Sequence, residues 1–225
     1  MYLVGAEARI DTRADEAPPI QSLPSDRWQD FPHSAISHHG TSCCDVAREW
    51  VVAMDYAMLN GGDLASGPRW LRERYKWGPS KWPIHWCEVV ERKVIDCGAH
   101  AALAHEVFQA RGLTSFHAQL VQKYSPDATI QWRGKWAEED VSCHWLTDDI
   151  IYHEATVLMV GEDEIKIWDG SAGWWVNARQ EGDGYGNLLA VRFFAYDPVH
   201  VQAGGGDGFR WGERRLKPNV WNQIT

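Results

Sequence analysis

A cysteine, a histidine and an aspartate follow one another in an order suited to nucleophilic acyl transfer. Cys97 lies in Val94-Ile95-Asp96-Cys97-Gly98-Ala99-His100, His153 in Ile151-Tyr152-His153-Glu154, and Asp169 in Ile167-Trp168-Asp169-Gly170. Only the thiolate attacks a carbonyl, and a free thiol with a pKa of ~8.5 is mostly protonated at neutral pH. Cys97 is expected at the mouth of a helix, where unpaired N–H groups and positive dipole density favour the thiolate; a nearby imidazolium favours it further. The pairing is therefore expected to lower the thiol pKa and raise that of the imidazole. The Cys97 N–H is placed to donate to a developing oxyanion, and Gly98 removes bulk beside the sulfur. His153 would move the proton, and Asp169, on the far ring nitrogen, would hold its tautomer and stabilise the imidazolium.

The elements that must position these groups follow from the hydrophobic pattern. Asp96 before a small-residue run predicts a helix from Cys97 to Ala110. Residues 150–160 are apolar and β-rich, Gly161-Glu162-Asp163-Glu164 reads as a turn, and Ile165-Lys166-Ile167-Trp168 alternates like a returning strand. An antiparallel hairpin then makes His153 and Asp169 cross-strand neighbours.

These residues resemble the transglutaminase-like superfamily of papain-related cysteine enzymes. The similarity runs from about Glu88 to Trp175: Asp96-Cys97-Gly98, a small-residue helix, the Ala110-Arg111-Gly112-Leu113 exit, a strand from Ser115 to Gln122, the His153 strand and the Trp168-Asp169-Gly170 strand end. It implies a papain-like α+β core, a Cys97-His153-Asp169 triad and amide bond formation or exchange on an amide or thioester through an acyl-enzyme, without a cofactor. The chain departs from that pattern in two places. His153-Glu154-Ala155 lacks the aromatic residue many members carry soon after the histidine, and no glutamine shortly precedes Cys97. Trp82 and Trp86 are the side chains at hand to assist the Cys97 N–H, or with Trp168 to wall a cleft. Two other functions fit the same residues: a cysteine peptidase or amidase, and a catalytically silent binding domain in which Cys97 is only a small buried hydrophobe.

Composition narrows the classes. A formal net charge of −9 over 225 residues opposes a nucleic-acid footprint, and the basic runs Arg69–Arg74 and Arg210–Lys217 read as solvated faces. The start lacks a basic leader with a long apolar stretch, so neither a signal peptide nor a membrane span is expected, and the expected location is cytoplasmic. Five irregularly spaced cysteines (43, 44, 87, 97 and 143) fit reduced thiols better than a disulfide framework. Fourteen tryptophans supply packing area and, near the triad, an aromatic wall for an apolar or acyl group. The expected partner is a small-molecule, peptide or carrier-bound acyl substrate.

Residues 1–40 read as an extended arm ahead of one catalytic domain, 41–225. Within it, helices are expected from Cys43 to Asn60, after Pro68 as far as Gly78-Pro79, from Ile84 to Lys93 and over the Cys97 segment. Strands follow at 115–122, 150–160, 164–168 and 188–196, joined by Trp174-Trp175-Val176 and residues 209–216. Helices first and strands after mark an α+β fold with the cysteine helix packed on a mainly antiparallel sheet. Lys123 to Asp149 is polar and reads as a flap. His33, His38, His39, Cys43 and Cys44 have no familiar zinc spacing, and Cys97, His100 and His105 make a weak second set. His100 and His105 are expected as one satisfied and one exposed side chain. Cys143-His144 falls in the flap, and adjacency in sequence does not aim a base at a sulfur. The glycine-rich segments at 182–186 and 204–208 precede no helix, so no phosphate cradle is expected.

Overall fold

The hydrophobic period changes near Gly112, and the architecture changes with it. A computed structural model describes residues 41–78, 89, 91–138, 147–178 and 186–224; the expected arm lies outside them. Before Gly112 come α1 (Thr41–Gly61), α2 (Ser66–Arg74), the short strands β1 (Lys76–Trp77) and β2 (Val94–Ile95), and α3 (Cys97–Ala110). After it come β3 (Ser115–Tyr124), α4 (Pro126–Glu138), β4 (Ile150–Met159), β5 (Ile165–Asp169), β6 (Trp174–Trp175), β7 (Gly186–Phe193), α5 (Pro198–Ala203), β8 (Phe209–Trp211), β9 (Arg214–Leu216) and β10 (Asn222–Gln223).

Among the described residues the main sheet has six strands in the order β10-β7-β3-β4-β5-β6, every pair antiparallel. The fold is thus α+β with a mainly antiparallel sheet; β1 and β2 form a separate parallel pair. Helix α1 buries Trp50, Met54 and Met58, spaced four apart on one stripe. At Gly67 of α2 a Cβ would fall 2.6 Å from Met58 Cγ and 2.8 Å from the Met54 carbonyl oxygen, so glycine permits the close crossing. Helix α3 carries Ala99, Ala101, Ala102, Leu103 and Ala104, all buried, and its small side chains bring its backbone near both the other helices and the sheet. One apolar cluster joins these helices to Leu158 and Trp168; a second joins Phe116, Leu120, Val157 and Ile167 to Phe209, Trp211 and Leu216. With both faces covered, β3 and β4 are buried almost throughout, including the polar His117, Gln119, Gln122, His153 and Glu154.

Several expectations change. The 123–149 segment contains α4, which starts where Ser125 Oγ accepts from Ala128 N at 3.3 Å. Helix α2 begins two residues before Pro68 and stops at Arg74, so β1 occupies part of the segment expected to stay helical. The 209–216 segment forms its own β8–β9 hairpin, touching the main sheet's neighbourhood through an isolated Glu164–Arg210 bridge. Helix α5 was not expected, although Asp197 caps it and Pro198 opens it. The expected Ile84–Lys93 helix lies largely outside the described residues, as do residues 182–185 of the first glycine-rich segment. Among the described residues no helix is long and apolar enough to cross a membrane.

Candidate active site

Asp96 begins the site. Its side chain accepts from Ala99 N at 2.8 Å, which caps α3 and sets Cys97 as the first helical residue. The N–H groups of Cys97 and Gly98, in the first turn, have no intrahelical carbonyl to bond. Cys97 is 3% exposed and its thiol interacts with the His153 ring.

The strand hairpin supplies the other two groups. Pairing between β4 and β5 ends at Thr156–Trp168, so Asp169 is one residue past the last pair on its arm and His153 is three past it on the other. The two are diagonal rather than directly opposite, and that stagger lets His153 Nε2 approach Asp169 Oδ1 at 2.9 Å, although the N–H direction is not in line with the oxygen. This stretch of β4 makes no ladder pair with β5. The same Oδ1 accepts from Ser171 N and Ala172 N, both at 3.0 Å, so a turn anchors the carboxylate. Gly170 is required by a close approach: a Cβ there would meet His100 Cβ at 2.7 Å.

The electrostatics depart from the expectation for the thiol. Burial pushes the Cys97 thiol up, Asp96 and Glu154 push it the same way, and the pull of His153 does not overcome them. The expected depression of the thiol pKa is therefore reversed, because the helix mouth sits inside the protein and desolvation of the thiolate outweighs the attraction of one imidazolium. Burial acts to lower the His153 pKa, but the Asp169 charge 2.9 Å away, with Cys97, raises it well above the ordinary value. Burial likewise opposes ionisation of Asp169, and His153 overrides it, holding the carboxyl below its usual range. These directions favour a thiol beside an imidazolium–carboxylate pair.

These buried groups line a cleft of about 530 Å³, the solvent at its open mouth included. Its walls include Trp77, Trp132, Tyr124 and Ile151 as well as Arg72 and Gln122. Trp77 and Trp132 meet edge to face, with centroids 5.0 Å apart. The aromatic wall is thus present, built partly from α4. Trp168 is not in it: fully buried between sheet and helices, it packs on Trp175 with centroids 5.1 Å apart and has no access to the cleft. Trp82 and Trp86 lie outside the described residues, as do Cys87 and Cys143-His144. Arg72 corrects the reading of Arg69–Arg74 as a solvated face, since it is half-buried and turned toward the cleft. Gln122 was also missed; it sits on β3 opposite Ile151, far in sequence from the cysteine.

His100 and His105 are both buried, so neither is the exposed side chain expected. His105 Nδ1 shares a 2.8 Å hydrogen bond with Ser115 Oγ. Burial and the Arg72 charge push His100 down to about 3, keeping it neutral. Among the described residues no group of three His, Cys, Asp or Glu side chains could hold a metal ion. Comparisons with protein-family models, curated proteins and solved structures found no match.

Proposed function

We propose that this protein is a cysteine acyltransferase with a transglutaminase-like core, acting through a Cys97 acyl-enzyme. The observation that supports it most is that one imidazole, His153, interacts with both a thiol at a helix mouth and a turn-anchored carboxylate on the wall of an open cleft. Loss of one proton from the resting thiol–imidazolium pair gives the thiolate–imidazolium form, a shared titration of the pair. The thiolate attacks the carbonyl of an amide or thioester, forming a C–S bond, while the Cys97 N–H faces the oxyanion. Gln122 is the described side-chain amide on the cleft wall suited to assist it. His153 gives its proton to the departing amine or thiol, and neutral His153 then takes one from the incoming amine, which displaces the sulfur.

Intact-mass analysis after mixing with a panel of acyl thioesters and glutamine peptides tests this. The expected result is a single acyl adduct on Cys97, discharged by an added amine and absent in Cys97→Ala. Discharge by water alone would assign the peptidase or amidase reading, and no adduct with any donor would favour the silent binding domain.

A further inference from the structure

Arg72 is a cation at this cleft with no carboxylate partner among the described residues. Its Nε donates to the Ser171 carbonyl, and Gly173, at φ +84, leaves room for the stem, because a Cβ there would lie 3.1 Å from Arg72 Cγ. The guanidinium is thereby fixed at one edge while its two terminal amino groups remain. Arg69, Arg74, Arg111, Arg133, Arg210 and Arg215 each have a carboxylate within ion-pair distance. Among the described residues Arg72 has none, and the nearby Asp169 is held by His153 and two turn N–H groups.

Activation of the nucleophile does not account for it. The leading charges on the Cys97 thiol are those of His153, Asp96 and Glu154, whereas Arg72 acts on His100, which stays neutral. A half-buried guanidinium, anchored at Nε, fits the planar fork of a carboxylate through the nitrogens left over. Beside it stand the apolar walls of Trp77, Trp132, Tyr124 and Ile151. Resting on the acyl-transfer reading, we infer that the substrate carries a carboxylate, which Arg72 grips while the connecting apolar chain lies along the aromatic wall. Arg72 is then a specificity-determining residue, not a catalytic one.

Calorimetric titration of the full chain with 4-phenylbutyrate and with 4-phenylbutyramide tests this, since the two ligands share the apolar body and differ in the charged end. The acid should bind at least ~10-fold more tightly, as expected for a charge-assisted pair. In Arg72→Gln the ratio should fall to about one. Arg72→Lys keeps the charge and loses the fork, so its ratio should fall only part of the way; it also serves if Arg72→Gln fails to fold. Equal affinities in the unaltered protein, binding of neither ligand, or a preference unchanged in both variants would each overturn the proposal. No bond to sulfur is made in this measurement, so it can fail while acyl-enzyme trapping succeeds, and the reverse.

Discussion

Two histidine–carboxylate pairs meet on β4, one reaching across to β5 and the other to β3, and only the first borders the cleft. His153 pairs with Asp169 at 2.9 Å, and His117 lies 3.6 Å from Glu154. Both pairs are buried. The second belongs to a buried network that reaches the cleft only through Tyr152, which donates to Glu154 at 2.8 Å, and whose His117 ring stacks on Phe194, with centroids 6.2 Å apart. The difference teaches that the pair itself does not define a site; a thiol and an open path to it do. Adjacent residues also act in opposite senses, since His153 lowers the Cys97 pKa and Glu154 raises it.

The sharpest way to break this comparison is to remove each histidine in turn. His153→Ala should lower acyl-transfer turnover by about 10⁴–10⁶-fold, as expected for loss of a group that acts with the nucleophile as a unit. His117→Ala should change turnover by less than about tenfold and instead lower unfolding free energy by about 1–3 kcal/mol, because Glu154 loses a buried partner. Equal losses of turnover would erase the distinction.

The carboxylates sharpen it. Asp169→Asn should slow turnover by about 10²–10⁴-fold through loss of the imidazole tautomer. Glu154→Gln should have a smaller and opposite signature, moving the pH profile of Cys97 alkylation downward because a charge that opposes the thiolate is gone.

A smaller effect concerns pH and stability. His100 is pushed down to about 3 in the folded protein by burial and Arg72, with Asp169 opposing and His153 adding. The unfolded chain takes up a proton below pH ~6.5 that the folded chain refuses, so stability falls as pH drops from there toward 3, by up to ~1.4 kcal/mol per unit. The signs at the pair differ. The raised His153 stabilises below pH ~6.5 and loses that contribution as pH rises through its folded pKa, whereas the lowered Asp169 stabilises above pH ~3.9 and loses it toward acid. Urea unfolding between pH 7 and 4 should show the acid loss, flattened in His100→Asn; an unchanged slope in that variant would assign the loss to other groups.

Helix α3 was legible to the residue, because its signals are local: Asp96 caps one end and the Arg111-Gly112 exit closes the other, with Gly112 at φ +70. The hairpin was legible in period and turn, but its stagger was not, since the pairing that ends at Thr156–Trp168 depends on turn geometry rather than on residue type. Helix α4 was missed because, over the part whose side chains are described (126–134), Ala128 is the one buried position and most others are polar or exposed, leaving no apolar stripe to read. Arg72 looked like one charge in a basic run, and only the fold turns it inward. The direction of the thiol shift was misread for a related reason: burial at a helix mouth is a property of the packing around it, not of the motif.

The most direct test of the central claim is the pH profile of Cys97 alkylation by iodoacetamide, followed by peptide mapping, in the unaltered protein and in His153→Ala. Modification of Cys97 should rise through an apparent pKa above that of an ordinary thiol and move still further toward alkaline pH when the imidazole is removed, since His153 supplies the pull that partly offsets burial. A Cys97 profile matching a free thiol and unchanged by His153→Ala would contradict the account.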